Sequence, residues 1–132
     1  EMCIRDRYIY ILLSSLTILA CQQETEKHLT TDLKKEVMAI HDEVMPVTSH
    51  LMALRSELKQ VYLNDSSQHV TLKPCIDSLK LAHDEMMKWM NNYNHSFSET
   101  DTTYYLQQKE KITVVNQLYK TTILSAEQRL KK

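Results

Sequence analysis

The chain has 132 residues, 16 of them basic and 17 acidic, for a net charge of −1. With no basic excess it lacks the electrostatic footprint of a nucleic-acid binder. Glycine is absent altogether, where average usage would supply roughly nine; phosphate-cradling loops, dinucleotide fingerprints and nucleophile elbows, which need glycine for close backbone approach or positive φ, are thereby excluded.

The first seven residues, Glu1-Met2-Cys3-Ile4-Arg5-Asp6-Arg7, are untidy for a signal n-region and resemble translated adaptor sequence. An apolar run follows and ends in Ile18-Leu19-Ala20-Cys21, with polar Gln22-Gln23-Glu24 immediately behind it. Its length suits a signal-peptide core and falls short of a comfortable bilayer span. Ile18-Leu19-Ala20-Cys21 resembles the lipobox, in which a small residue precedes the cysteine that becomes diacylated. The expected organisation is therefore a lipoprotein signal over 1–20, a lipid-bearing Cys21, a polar tether over 21–30 and one small domain over 31–132. Gln22 stands where an Asp would favour inner-membrane retention, so the expected address is the outer membrane. With Cys3 removed and Cys21 lipidated, Cys75 is left as a single, partly buried thiol on a helix.

From Leu33 the apolar residues step by four and three without a break: Val37, Ile40, Val44, Val47, Leu51, Leu54, Leu58 and Val61. That is a heptad seam and predicts a long helix. Met38, Met45 and Met52 widen the stripe on one side, as suits a helix with two neighbours. Thr30, Thr31 and Asp32 offer caps. Pro46 removes one backbone hydrogen bond and predicts a kink.

Asn64-Asp65-Ser66-Ser67-Gln68 reads as a polar turn. A second helix is expected over 71–93, with Pro74 in its first turn and a stripe of Leu72, Ile76, Leu79, His83, Met86, Met90 and Tyr93, flanked by Cys75, Ala82 and Trp89. Residues 91–103 are polar, and Ser98 with Asp101 has the spacing of a capping box. A third helix is expected over 101–130 on Tyr105, Ile112, Val115, Tyr119, Ile123, Ala126 and Leu130, a weaker seam interrupted by Gln108. Short polar turns make such helices antiparallel neighbours. The expected fold is all-α, an up-down-up antiparallel three-helix bundle with coiled-coil-like packing; the alternative is a long helical hairpin that dimerises.

His41-Asp42-Glu43-Val44-Met45 returns as His83-Asp84-Glu85-Met86-Met87. His41 lies one place beyond the seam and His83 on it, so the two words are expected on different faces. Adjacent helical carboxylates point about 100° apart, so neither Asp-Glu pair makes a two-carboxylate catalytic site; no catalytic residue and no cofactor is expected. His41, Met45, His83 and Met87 form i, i+4 pairs whose soft ligands would suit copper or haem; this is the alternative function. The candidate docking residues are Met87, Trp89 and Met45. Met86, Met87, Trp89 and Met90 cannot all face inward at 100° per residue, so Met87 with part of Trp89 is expected to form an exposed apolar edge for a protein partner or a second copy.

Val37-Met38-Ala39-Ile40-His41-Asp42-Glu43-Val44-Met45-Pro46, with Ala82, Met86-Met87 and Trp89-Met90, is similar to a family of small Bacteroidota lipoproteins often labelled "viral A-type inclusion protein". The resemblance covers the lipobox and most of the following chain, with Tyr105-Leu106 and residues 125–132 fitting more loosely. It implies a lipid-anchored helical protein and no activity. The chain departs from the family at His83, where an acidic residue is expected. The expectation from the sequence is a lipid-anchored, non-enzymatic interaction module that binds membrane through Cys21 and an unknown protein or itself, and binds no nucleic acid.

Overall fold

The computed structural model describes residues 26–94 and 101–131. Cys21, the apolar run before it and Ser98 lie outside the described residues. The rest is an all-α bundle: α1 (26–44), α2 (Thr48–Asn64), α3 (His69–Asn92) and α4 (Thr102–Leu130). Short 3₁₀ turns at Met45–Val47 and Ser66–Gln68 join the first three.

Pro46 is the reason α1 and α2 are two helices. It cannot donate to the Asp42 carbonyl, and the backbone tightens there into the 3₁₀ turn before resuming at Thr48. Together α1 and α2 form one interrupted rod about 58 Å long at 1.5 Å per residue. Asp65 ends it. The carboxylate accepts from the Ser67 amide at 2.9 Å and from the Ser67 hydroxyl at 2.6 Å, and so caps the next 3₁₀ turn. The His69 ring stacks on Tyr62 at 3.9 Å and bonds the Tyr62 carbonyl at 2.6 Å, fastening the hairpin.

Cross-helix contacts fix the topology. Glu36 meets Lys109 at 2.7 Å, Glu43 meets Lys120 at 2.8 Å, and His50 meets Glu127 at 2.9 Å. Both residue numbers rise together, so the first rod and α4 are parallel. His41 faces Trp89 at 5.8 Å while Tyr62 faces His69, so α3 is antiparallel to that rod. Cys75 beside Ser125 at 4.0 Å makes α3 antiparallel to α4 as well. This is the expected up-down-up arrangement.

Each rod buries a seam with alternating steps of three and four. On the first rod it comprises Leu33, Val37, Val44, Leu51, Leu54 and Leu58. Ile40 and Val61 are half-buried and Val47, beside the proline, is exposed. On α3 the seam runs Leu72, Cys75, Leu79, Ala82, Met86, Trp89 and Tyr93. On α4 it runs Tyr105, Gln108, Ile112, Val115, Tyr119, Thr122 and Ala126.

Five local expectations are corrected. The helix has already begun at residue 26, so the tether does not reach residue 30. Thr30 and Thr31 are not caps; their hydroxyls donate to the Glu26 and Lys27 carbonyls one turn back, and Asp32 lies inside the helix. Pro74 lies inside α3, beyond its first turn. The carbonyl it leaves unpaired belongs to Val70, which is exposed and can turn to water. Asp101 is itself the cap of α4, accepting from the Tyr104 amide at 2.9 Å. On α3, Cys75, Ala82 and Trp89 are seam members, whereas His83 and Met90 are only half-buried. The expected stripe holds at Leu72, Ile76, Leu79, Met86 and Tyr93; a straight helix drifts against a strict 3.5 repeat, and at the other two positions a neighbouring residue takes the buried place.

Leu51 is fully buried and His50 beside it is exposed. Leu51→Ala is expected to cost about 2–5 kcal/mol in denaturant melts. His50→Ala, which loses only a surface pair, is expected to change stability by less than about 1 kcal/mol. Equal losses would contradict the observed seam.

Candidate functional site: the α3–α4 groove

The parallel and antiparallel neighbours of α4 leave an open groove between α3 and α4 on the side away from the first rod. Its volume is about 570 Å³. Trp89, Gln108 and Val115 form its inner wall, Val114 and Leu118 its apolar α4 side, and Glu85 and Lys88 its α3 rim. Trp89 is fixed by its own helix and by rings on either side. It stacks on Tyr93 at 4.9 Å and faces His41 at 5.8 Å. Tyr104 and Tyr105 extend the aromatic cluster across α4. Tyr105 is buried on the α4 seam, so the cluster is as much core as surface.

Gln108 is the unusual member. It occupies a seam position and is 5% exposed. Its seam companion Thr122 satisfies its hydroxyl by donating to the Leu118 carbonyl at 2.8 Å. The Gln108 amide makes no comparable bond among the described residues, and it lines the groove. The Trp89 indole N–H is likewise buried without a hydrogen-bond partner among the described residues. The sequence marked Gln108 only as an interruption of a stripe. The signal that pointed to more was the exact heptad step from Tyr105 to Ile112, which placed an amide in the seam.

A second depression of about 390 Å³ lies between the first rod and α4. It holds exposed Val47 and Leu124 and is bridged by the Glu43–Lys120 and His50–Glu127 pairs. Hydrogen bonds from Lys120 and Asn116 hold the Glu43 carboxyl below its ordinary range. These pairs tie helices together and leave no catalytic constellation there.

Of the candidate docking residues only Trp89 lines the groove. It is 6% exposed, and Met87 and Met45 are half-buried against the core. Met87 points some 150° away from the groove-facing side of α3, by helical arithmetic. The expectation of an exposed Met87 edge is therefore corrected: three helices supply enough neighbours to cover methionine at the flank of the seam.

The repeated words share a burial pattern, contrary to the expectation of different faces. Val44 and Met86 are buried, His41 and His83 half-buried, Asp42 and Asp84 exposed. His41 Nδ1 is 2.9 Å from Asp42 and His83 Nδ1 is 3.6 Å from Asp84. The antiparallel register sets the two histidines about 9 Å apart along the bundle. Side chains lean toward the start of their own helix, so these two diverge while Met45 and Met87 converge. Among the described residues no three His, Cys, Asp or Glu side chains come together as a metal-holding group. Cys75 is buried.

No family model, curated protein or solved structure matches the chain.

Burial pushes the Tyr93 hydroxyl up to about 12, with the neighbouring Tyr105 and Tyr104 adding to the shift. The folded state thus keeps a proton that the unfolded chain loses near pH 10. This stability is fully present below pH 10 and is lost as pH rises toward 12. Tyr93→Phe is expected to flatten the fall in melting temperature between pH 10 and 12. An unchanged slope would mean that Tyr93 is not the group responsible.

Proposed function

We propose that the chain is a lipid-anchored, non-enzymatic interaction module of the bacterial envelope, held at Cys21 and engaging a partner through the bundle. The observation that carries the reading is the apolar run closed by Ile18-Leu19-Ala20-Cys21 and followed at once by polar sequence. Among the described residues no helix is long and apolar enough to cross a membrane, which agrees with attachment by lipid. Gln22 favours the outer membrane over the inner.

The helix begins within five residues of Cys21, and five residues reach at most about 17 Å. An anchor at Cys21 therefore holds the end of the bundle bearing Tyr93 and Tyr104 near the bilayer. The hairpin tip, with exposed Leu63 and Val70, stands farthest from it. The lack of a basic excess argues against nucleic acid as the partner. The shallow grooves, which gather no nucleophile–base pair, suit docking better than turnover.

Cys21→Ser is expected to abolish incorporation of labelled fatty acid and to move the protein from the membrane fraction to the soluble one. More than one acyl chain is needed for stable anchoring, so the loss should be complete rather than graded. Label that persists in the Ser variant would overturn the assignment.

A further inference from the structure

We propose that the α3–α4 groove binds a short, extended, uncharged peptide segment of a partner, with the Gln108 amide pairing to a peptide bond of that segment. The inference rests on the reading of the chain as an interaction module and names the chemistry of one partner site.

Gln108 carries the argument. A residue that is 95% buried on a helix seam is ordinarily apolar or fully hydrogen-bonded, because an unmet amide in the interior is costly. Thr122, at a corresponding seam position, satisfies its hydroxyl within its own helix. The Gln108 amide has no partner among the described residues and borders the groove. It therefore presents one acceptor and two donors side by side to whatever enters. A peptide bond offers the complementary acceptor and donor in one planar group. A phosphate or a carboxylate offers acceptors only.

The surroundings agree with this chemistry. Val114 and Leu118 give an apolar side, and Val114 is 64% exposed and free to be covered. Glu85, Lys88, Glu110 and Lys111 place two acids and two bases around the groove. The rim sums to zero charge, and Lys88 already lies 3.5 Å from Glu85. Such a rim attracts neither a polyanion nor a polycation, and complements a neutral segment. From Gln108 to Leu118 the groove runs about 15 Å along α4. That length holds four or five residues of extended chain.

Trp89 is the only tryptophan in the chain and lines the groove, so its emission reports occupancy directly. The test titrates the full chain, in mild detergent, with a capped pentapeptide carrying leucine at its centre and alanine elsewhere. A second titration uses its analogue with an ester in place of the central amide. Circular dichroism confirms that each variant is folded. The expected result is a saturable shift of Trp89 emission. Gln108→Leu should weaken it at least tenfold, and the ester analogue and Val114→Lys should weaken it as well. Leucine suits a seam position, and Val114 lies outside the core, so at least one variant remains folded. No shift in the parent chain would overturn the proposal. A shift unaltered by Gln108→Leu would also overturn it, since the peptide would then be partitioning without pairing. Concentration-dependent doubling of mass that Val114→Lys reverses would assign the groove to a second copy and overturn it too. None of these outcomes depends on whether Cys21 is lipidated.

Discussion

Leu51, Leu79 and Ala126 are each completely buried near the middle of the bundle. Burial along three such seams is the constraint on which the rest of the molecule depends. Each seam steps by three and four, so each helix offers one continuous stripe to two neighbours. The ion pairs that decorate the outside join mostly exposed side chains and contribute little by comparison. Their value is in register: Glu36–Lys109, Glu43–Lys120 and His50–Glu127 agree on one parallel alignment of the first rod with α4. Burial supplies the stability, and the three exposed pairs are compatible with the alignment it sets.

The seams tolerate polar and irregular residues in different ways. Pro46 is absorbed by ending a helix and starting another, at the cost of exposing Val47. Pro74 is absorbed without a break because the carbonyl it deprives belongs to an exposed residue. Thr30 and Thr122 turn their hydroxyls back onto their own helices. Gln108 has a longer side chain and no such bond, so its polarity is passed outward to the groove. Gln108 and the Trp89 indole N–H, two seam groups without a hydrogen-bond partner among the described residues, both border the α3–α4 groove.

The two ends of the bundle differ in character. One carries the Trp89, Tyr93, Tyr104 and Tyr105 rings and the start of α1. The other carries the tight hairpin sealed by Asp65 and the Tyr62–His69 stack, with Leu63 and Val70 in solvent. A chain tethered close to α1 would therefore present its aromatic end and its hairpin tip to different surroundings. The groove lies along the flank of the bundle between α3 and α4.

By itself, the sequence determined the helical class, the three rods and most of the core, because an unbroken heptad pattern in a glycine-free chain admits little else. It also placed the polar turn at Asn64–Gln68 and the interruption at Pro46. Helix ends were less legible. Thr30, Thr31 and Asp32 carry capping side chains, but the same residues can bond one turn back inside a helix, and a helix already running through them decides the matter. On α3 the stripe was legible at Leu72, Ile76, Leu79, Met86 and Tyr93 but not at His83 and Met90, since His83 or Ala82 satisfies the spacing and only the neighbouring helices select between them. Exposure of Met87 was likewise a tertiary question, and the residue is half-buried against the core. The groove could not be read from spacing at all. It exists because α3 and α4 pack antiparallel with no further helix beside them among the described residues, which turns an interrupting Gln108 into an amide open to a cleft.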